Sequence, residues 1–591
     1  MTTPPLRTLE IRLSEATTIR NRDRCRAANA ASASQHHSKT PRARPCTIVI
    51  REIEIVARRY GNSTTTLIQS RGGNMTAQAV QQVVQLKKAS DSRASVKETQ
   101  TEELVIALCG PIGSPIKRVG QEIAEILKHD YAYDVEIIRL SEFVREKAPE
   151  VLNKSVDGSS EYNRVQSLIQ LGNDLRDKYD ERVLAELAIY KIIFDRVTAA
   201  GSDSVRSSRR KCYIIDSIKN KHELEIFQLV YAEILFFVGV FSSPEQRAQN
   251  LEALGMTSAE IYALIDRDSG EDLPHGQTVS ETFPKADFFI RVENNSANEI
   301  KGKVERFISL LFEGAVATPH KHESAMYAAW SAASNSACLS RQVGAAIADN
   351  EGHILSVGWN DVPKFGGGLY LSDDKSDNRC WNSGEICYND QEKSTLINII
   401  TKELIKSKII SENRETEITK TLRENKRLQG LIEFSRAVHA EMHAIINAGR
   451  ISGANIVNSS LYCTTYPCHS CARHIVAAGI KAIYYIEPYR KSLAIRLHND
   501  ALTENSSDIT KVRILAYEGV SPRRYLELFE MGSTKRKNSG TLIKIPKKER
   551  KPRHEKSLAA LYTLEAMVTQ SLEKQGLVKK SSEGDENENE R

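Results

Sequence analysis

Four residues in the second half of the chain have the types and the spacing of a catalytic zinc site. His439 is followed two residues later by Glu441, and Cys468 and Cys471 form a C-x-x-C pair directly after Pro467. Two thiolates and one imidazole supply the three protein ligands of a catalytic zinc and leave a fourth position for water. Because zinc lowers the pKa of that water, the pattern predicts a hydroxide nucleophile near neutral pH.

Glu441 is predicted to carry protons rather than to bind the metal. It would take a proton from the water, protonate a ring nitrogen of the substrate and then protonate the leaving amine. The pattern H-x-E followed by P-C-x-x-C is typical of zinc-dependent nucleobase deaminases. A single C-x-x-C is also found in redox pairs and in half of a structural zinc ribbon. The chain has no second C-x-x-C, and neither alternative needs the His-Ala-Glu sequence upstream.

The residues around this pattern, from about 322 to 530, resemble the cytidine and deoxycytidylate deaminase family. The resemblance includes RQVGAAIADNEGHILSVGWNDVP at residues 341–363, which is similar to that family's first hairpin and substrate loop. With a nucleotide-kinase-like domain in front, the whole chain resembles the bacterial antiphage deoxycytidylate deaminases. This resemblance implies a zinc enzyme that converts free dCTP or dCMP to dUTP or dUMP and depletes deoxycytidine nucleotides during infection. It also implies a homo-oligomer and an inhibitory RNA partner.

Two functions of other classes stay open at this point. A deaminase that edits RNA or DNA needs an exposed groove with basic and aromatic side chains for a flipped base. Aromatic residues make up 6% of the chain and its net charge is +6, which does not favour this reading. A nucleotide-sensing scaffold with a structural zinc is the other alternative, and such a site would not need Glu441.

The composition indicates a globular protein of several domains. The chain has 591 residues, of which 40% are apolar and 27% charged. Its ten cysteines are too sparse for a disulfide scaffold and suit the reducing cytoplasm, which is the predicted location. The most apolar run, residues 234–241, is too short to span a bilayer, so we expect no membrane partner.

Residues 1–98 are predicted to be a disordered or misassigned N-terminal extension. The first 74 residues are rich in arginine, serine and threonine and poor in acids, as in an organellar transit peptide. A start codon assigned too early, with Met75 as the true start, is the alternative explanation.

Residues 101–315 are predicted to form a domain that begins with a phosphate-binding loop. An apolar run at 104–108 precedes a glycine turn and an amphipathic helix at 119–127, the layout in which backbone N–H groups cradle phosphate. The full motif ends in Gly-Lys-Ser/Thr, whereas here Arg118 replaces the hydroxyl residue and Pro115 lacks an N–H. The predicted phosphate contacts are Gly110, Gly113, Ser114, Lys117 and Arg118.

Further strands are predicted at residues 212–217, which contain Asp216, and at 234–241. Strands that alternate with helices indicate a parallel sheet, and their order resembles the nucleoside monophosphate kinases. The predicted fold class is α/β, with an N-terminal P-loop NTPase (nucleotide-kinase-like) parallel sheet and a C-terminal cytidine-deaminase-like α/β/α domain. The first domain is expected either to sense a nucleoside triphosphate or to act as an ATPase or kinase.

The C-terminal domain is predicted to span residues 320–535. Its predicted elements are helices at 323–337 and 435–448, a helix that begins near 468, and strands at 342–348, 353–358, 461–465 and 483–486. Asn360 stands where the family binds the sugar or base. The helices that begin near His439 and Cys468 are expected to direct their positive N-termini at the metal.

Residues from about 370 to 432 are predicted to be an insertion in this domain. Its segment 396–427 is charged and is predicted to form a solvated helical hairpin. Cys380 and Cys387 lie on either side of Trp381. They are either two reduced thiols packed in a loop or, as in some deoxycytidylate deaminases, ligands of a second, structural zinc.

The sequence EPYRKS at residues 487–492 resembles the family's PY-x-x-S loop. Arg490, Lys491 and Ser492 are predicted to contact a substrate phosphate, because arginine and lysine supply charge and serine supplies a donor. A plain exposed loop is the alternative. Residues 536–591 are predicted to be a charged, largely solvated tail with a short helix near 558–572.

Overall fold

The computed structural model describes residues 96–204, 210–270, 278–294, 296–452, 456–489 and 492–578. Residues 1–95, which make up most of the predicted N-terminal extension, lie outside these ranges, as do Arg490 and Lys491. Among the described residues, no helix combines the length and the apolar character needed to cross a membrane.

The strand β1 (Leu104–Cys109) forms the centre of the first lobe, residues 101–315. All six of its residues are buried. Their side chains alternate between two cores, with Val105 in one and Ile106 in the other. A strand that is apolar on both faces belongs in the middle of a parallel sheet covered by helices on both sides, and β1 occupies that place.

The first sheet has the strand order β5–β4–β1–β3–β2, with every neighbouring pair parallel. Its other strands are β2 (Asp134–Arg139), β3 (Lys211–Asp216), β4 (Leu235–Phe241) and β5 (Phe288–Arg291). The helices of this lobe are α1 (Ile116–Tyr131), α2 (Leu140–Leu152), α3 (Glu161–Lys178), α4 (Val183–Ser204), α5 (Lys221–Tyr231), α6 (Pro244–Glu252), α7 (Ser258–Gly270) and α8 (Ala297–Leu311). The predicted parallel α/β architecture is therefore confirmed for this lobe.

The second lobe, residues 320–535, contains a mixed sheet with the order β10–β11–β9–β8–β6–β7. Its strands are β6 (Gly344–Ala348), β7 (Ile354–Trp359), β8 (Ser460–Thr465), β9 (Ala482–Glu487), β10 (Leu502–Thr503) and β11 (Val512–Ala516). Its helices are α9 (Lys321–Ala333), α10 (Tyr388–Lys406), α11 (Glu415–Glu424), α12 (Ala440–Asn447), α13 (His469–Ala477) and α14 (Tyr525–Phe529). Shorter helices lie at Val279–Thr282, Lys426–Gln429 and Ala494–Leu497. The predicted helical hairpin of the insertion is present as α10 packed on α11.

Two glycines allow helices to approach this second sheet closely. A Cβ atom on Gly344 would lie 1.9 Å from the carbonyl oxygen of Ala329 on α9. A Cβ atom on Gly358 would lie 2.4 Å from the carbonyl oxygen of Ala440 on α12. Any side chain at Gly358 would therefore push the first turn of α12 away from the sheet.

The helix α12 begins five residues later than the sequence predicts. The prediction placed its start at 435, but residues 435–438 are not helical. Instead the Val438 N–H donates to the carbonyl oxygen of Asp361 (2.9 Å), and His439 has the extended backbone of an N-cap. A contact between segments far apart in sequence thus overrides the local helical pattern.

The two lobes share one sheet, because a strand from the second lobe extends the first. The strand β12 (Gly519–Val520) pairs antiparallel with β5, with Val520 opposite Phe288. Beside it, the fully buried Glu323 accepts a hydrogen bond from the Val520 N–H (3.0 Å) and forms an ion pair with Arg306 of α8. The described residues accordingly fall within one compact unit.

The C-terminal helix α15 (Leu558–Lys574) contradicts the prediction of a largely solvated tail. It packs on α4, and its residues Leu561 and Leu572 are fully buried. Its mid-helix residue Glu565 forms an ion pair with Arg196 of α4, which also pairs with Glu103 (2.7 Å). The flanking basic and acidic runs dominate the composition of this segment, but the helix between them completes the core of the first lobe.

We expect Arg196→Ala to lower the free energy of unfolding by about 3–5 kcal/mol, the usual cost of removing one member of a buried ion pair. The change would leave the carboxylates of Glu103 and Glu565 together and away from water. Urea-induced unfolding measures the effect. The control is Arg182→Ala, because Arg182 pairs with Asp180 at the surface, where such pairs contribute about 1 kcal/mol or less. Equal losses in the two variants would contradict the prediction.

Candidate metal centre and active site

The donor atoms of His439, Cys468 and Cys471 converge at the N-termini of two helices. His439 is the N-cap of α12, and Cys468 is the N-cap of α13. The His439 Nδ1 atom lies 3.3 Å from the Sγ atom of Cys468 and 3.3 Å from that of Cys471. Both thiols are buried, with Cys471 fully so. Among the described residues, these three form the group whose donor atoms lie close enough together to share a metal ion.

The geometry of this group fits zinc. With Zn–S bonds of about 2.3 Å and Zn–N bonds of about 2.0 Å, tetrahedral ligand atoms stand about 3.5 Å apart. The two 3.3 Å distances from Nδ1 match that spacing. Three donors leave the fourth tetrahedral position open, as in catalytic rather than structural zinc sites.

The electrostatics of the group prepare one thiol to bind metal. Hydrogen bonding with Cys471 and with His439 lowers the pKa of the Cys468 thiol to about 4. The same contact with Cys468 raises the pKa of His439 to about 9. These contacts therefore favour the thiolate form of Cys468, the form in which cysteine binds metal. The N-terminal ends of α12 and α13 add positive potential at the same point.

Glu441 lies in the first turn of α12, close to Cys468 and Cys471 but outside the group of three convergent donors. Only 4% of its surface is exposed. Burial raises the pKa of its carboxyl, and the nearby charge of Cys468 adds to the shift. A buried carboxyl with a raised pKa, close to the group of three, is suited to take a proton from water and pass it on.

A cavity of about 890 Å³ opens onto Glu441, His439 and Cys468. Its walls come from three parts of the chain. The second lobe contributes Asn360 and Tyr489 among others, the insertion contributes Cys380, Cys387, Tyr388 and Asn389, and the first lobe contributes Ser280, Glu281, Pro284 and Lys285. The segment after β12 adds Ser521, Pro522 and Arg523. The contribution of the first lobe was not predicted, because no local motif marks those residues.

Asn360 and Ser492 have different positions relative to this cavity. Asn360 lines it, and its side chain is fixed by the Val343 N–H (2.7 Å) and the Arg341 carbonyl (2.9 Å). The Ser492 hydroxyl instead donates to the carbonyl oxygen of Pro467 (2.7 Å), so it braces the loop that carries Cys468. Phosphate contact by Ser492 stays a prediction, as it does for Arg490 and Lys491, which lie outside the described residues.

The predicted phosphate-binding loop connects β1 to α1 and packs against α6. Gly113 has a φ of 83°, in the left-handed region, and a Cβ atom there would lie 2.7 Å from the carbonyl oxygen of Arg247. The Arg247 Nε–H donates to the Ile112 carbonyl (2.6 Å), and the Asn250 side chain donates to the Gly113 carbonyl (2.8 Å). The Ser114 N–H is bonded within the loop, to Pro111 (3.0 Å).

The other predicted phosphate contacts lie around this loop. Gly110 precedes the turn, and its carbonyl accepts a hydrogen bond from the Lys219 ammonium (2.8 Å). Lys117 and Arg118 are exposed in the first turn of α1. Nucleotide binding by these residues stays a prediction.

The second, structural zinc predicted at Cys380 and Cys387 has no ligand set in the described part of the chain. Neither thiol belongs to a group of three side chains with convergent donor atoms. Both are half-buried free thiols that line the large cavity, and Cys387 lies 3.6 Å from the Ser340 hydroxyl. The alternative of two reduced thiols in a loop matches this placement.

A match to a known family covers the part of the chain that contains His439, Cys468 and Cys471. The cytidine and deoxycytidylate deaminase zinc-binding region matches residues 319–487. ComE operon protein 2 of Bacillus subtilis (strain 168) is 41% identical over 56 residues, which are 10% of this chain and 29% of that protein. Deoxycytidylate deaminase of Enterobacteria phage T4 is 29% identical over 175 residues, which are 29% of this chain and 80% of that enzyme.

Among solved structures, dCMP deaminase from the cyanophage S-TIM5 in complex with dCMP and dUMP is 22% identical. The match covers 34% of this chain and 99% of that one, with a TM-score of 0.20. The family match at residues 319–487 includes Glu441 and the three residues whose donor atoms converge, His439, Cys468 and Cys471. Residues 319–487 of this chain are therefore a cytidine and deoxycytidylate deaminase zinc-binding region.

Proposed function

We propose that the chain is a zinc-dependent hydrolase that deaminates free deoxycytidine nucleotides, dCMP or dCTP, to the deoxyuridine nucleotide and ammonia. The observation that carries the proposal is the convergence of His439, Cys468 and Cys471, with Glu441 beside them, on one cavity. The deoxycytidylate deaminase of phage T4, matched over most of its length, supports the choice of substrate.

The residues of the site divide the work between metal binding and proton transfer. His439, Cys468 and Cys471 would hold the zinc, which when bound supplies a Lewis acid that lowers the pKa of a water molecule. Glu441 would take a proton from a water molecule as the water oxygen attacks C4 of cytosine, and would give that proton to the ring nitrogen N3. Glu441 then transfers the second water proton to the amino group, which leaves as ammonia while C4 becomes a carbonyl.

The size and walls of the cavity favour a free nucleotide as substrate. A volume of about 890 Å³ falls within the range of small-molecule sites, about 300–1,000 Å³. The insertion and the first lobe both stand around the mouth of the metal centre. A polynucleotide would have to thread its flipped base between these walls, whereas a mononucleotide can enter alone.

The biological role and the regulation follow from the resemblance to bacterial antiphage deoxycytidylate deaminases. We infer that the reaction depletes deoxycytidine nucleotides during infection, in a cytoplasmic homo-oligomer that an RNA partner inhibits. The first lobe, with its modified phosphate-binding loop, would sense a nucleoside triphosphate. The pairing of β5 with β12 supports a connection between nucleotide sensing and the active site. The residues directly after β12 line the cavity, so a shift of β5 would move them.

Ammonia release from purified, zinc-loaded protein tests the proposed function. The substrates are deoxycytidine, dCMP, dCTP, CMP, and single-stranded DNA and RNA that contain cytidine. We expect ammonia from a deoxycytidine nucleotide and none from the oligonucleotides, with Glu441→Gln as the inactive control. Release from oligonucleotides alone would identify an editing enzyme instead. No release from any substrate by a protein with stoichiometric zinc would identify a structural zinc.

A further inference from the structure

Arg523 lies in the wall of the cavity that His439 and Cys468 also line, and the sheet of the first lobe fixes its position there. The segment that carries it leaves β12, where Gly519 is paired with Phe289 of β5. The next residue, Ser521, is buried and its N–H donates to the carbonyl oxygen of Asp287 (2.8 Å). The position of Arg523 is therefore set by contacts with the first lobe, although His439, Cys468 and Cys471 belong to the second lobe.

The guanidinium of Arg523 differs from that of the adjacent Arg524 in its surroundings. Arg524 lies 2.9 Å from a carboxylate oxygen of Glu527 and 3.7 Å from one of Asp287. Arg523, by contrast, has no Asp or Glu oxygen within 4 Å in the described part of the chain. Its Nη2 atom lies 3.5 Å from the carbonyl oxygen of Ala286. Arg523 thus presents to the cavity a positive charge with no carboxylate within 4 Å in the described part of the chain, while Asp287 and Glu487 attract it from farther away.

The wall that contains Arg523 lies at the same end of the second sheet as the metal ligands. Glu487, the last residue of β9, is paired with Thr465 of β8. Cys468 follows Thr465 by three residues, and Glu487, Thr465 and Cys468 all line the same cavity as Arg523. A ligand with its base at the metal centre can therefore extend a charged group toward Arg523.

We propose that Arg523 binds the phosphate of the nucleotide substrate, so that the first lobe positions a substrate-binding residue in the active site of the second. This inference rests on the proposed function, because it names the phosphate partner at that same site. Arginine suits the role, since its planar guanidinium offers a fork of donors that matches two phosphate oxygens. The first lobe is then part of the substrate site as well as a candidate sensor.

Comparing nucleotide with nucleoside isolates the phosphate contact. The values of kcat/KM for dCMP, dCTP and deoxycytidine are measured with the parent, Arg523→Ala, Arg523→Lys and Arg524→Ala. For Arg523→Ala we expect a fall of about 10- to 100-fold with the nucleotides, the range for a lost hydrogen bond to a charged group. Deoxycytidine, which has no phosphate, should be deaminated as by the parent. Arg523→Lys should recover part of the loss through its charge, and Arg524→Ala should keep the parent's ratio of nucleotide to nucleoside.

Each outcome of this comparison supports or overturns the inference. An unchanged ratio of nucleotide to nucleoside in Arg523→Ala would show that Arg523 does not bind phosphate. Equal losses with dCMP and deoxycytidine would show that it acts only on the structure of the cavity. If the parent deaminates nothing, the proposed function fails first, and calorimetric binding of dUMP and deoxyuridine then decides the inference. Weaker dUMP binding in Arg523→Ala, with deoxyuridine unaffected, would still support it, and equal binding of dUMP would overturn it.

Discussion

Glu441→Gln is expected to lower kcat by at least about 10²–10⁴-fold, the usual contribution of general acid–base catalysis. One carboxyl serves several proton transfers here, so the loss should lie at the upper end of that range or beyond. The substitution keeps the size of the side chain and leaves His439, Cys468 and Cys471 unchanged, so zinc content should stay stoichiometric. Nucleotide affinity should survive, because the proposed role of Glu441 is to move protons at the base and not to hold the phosphate. Rapid-quench assays and calorimetry measure the two effects.

The matched control for this variant is Glu433→Gln. The Glu433 side chain is about half exposed and lies 3.7 Å from His469, outside the residues that line the cavity. The kcat of Glu433→Gln should stay close to that of the parent. If Glu441→Gln kept a rate within about tenfold of the parent, another group would have to move the protons, and the proposed mechanism would be wrong.

Cys471→Ala is expected to remove both the metal and the activity. Loss of a mere outer-shell partner costs about 10–100-fold in metal affinity, and loss of a ligand should exceed that range. Elemental analysis after dialysis measures the zinc that remains. The control is Cys463→Ala, because Cys463 is also fully buried on β8 but belongs to no group of convergent donors in the described chain. Retention of stoichiometric zinc by Cys471→Ala, with zinc also retained by Cys463→Ala, would refute the ligand assignment.

The metal centre could be predicted from sequence because its information is local. His439 and Glu441 are two residues apart, Cys468 and Cys471 are three apart, and each pair sits where one helix begins. Helical geometry then fixes how the members of each pair face one another. The predicted start of α12 was wrong because it depends on a contact between distant segments. Val438 donates a hydrogen bond to Asp361, which lies 77 residues earlier in the chain.

The walls of the cavity could not be predicted, because they depend on pairings between distant segments. Arg523 reaches the cavity through the contact of Val520 with Phe288, and nothing in the local sequence marks a two-residue strand. The helix that contains Glu565 was interpreted as part of a solvated tail because its flanks are highly charged. Its partner Arg196 lies 369 residues earlier in the chain. Local patterns of hydrophobic and charged residues do not indicate contacts over such a separation.

The return of α15 to the first lobe has a consequence for the order in which the protein is made. Arg196 leaves the ribosome 369 residues before Glu565. At about 5–20 residues per second, this interval is about 20–70 s. All of the second lobe is synthesised before α15, so Leu561 and Leu572 can join the core of the first lobe only after that. Folding of the first lobe therefore cannot be complete until α15 has been synthesised.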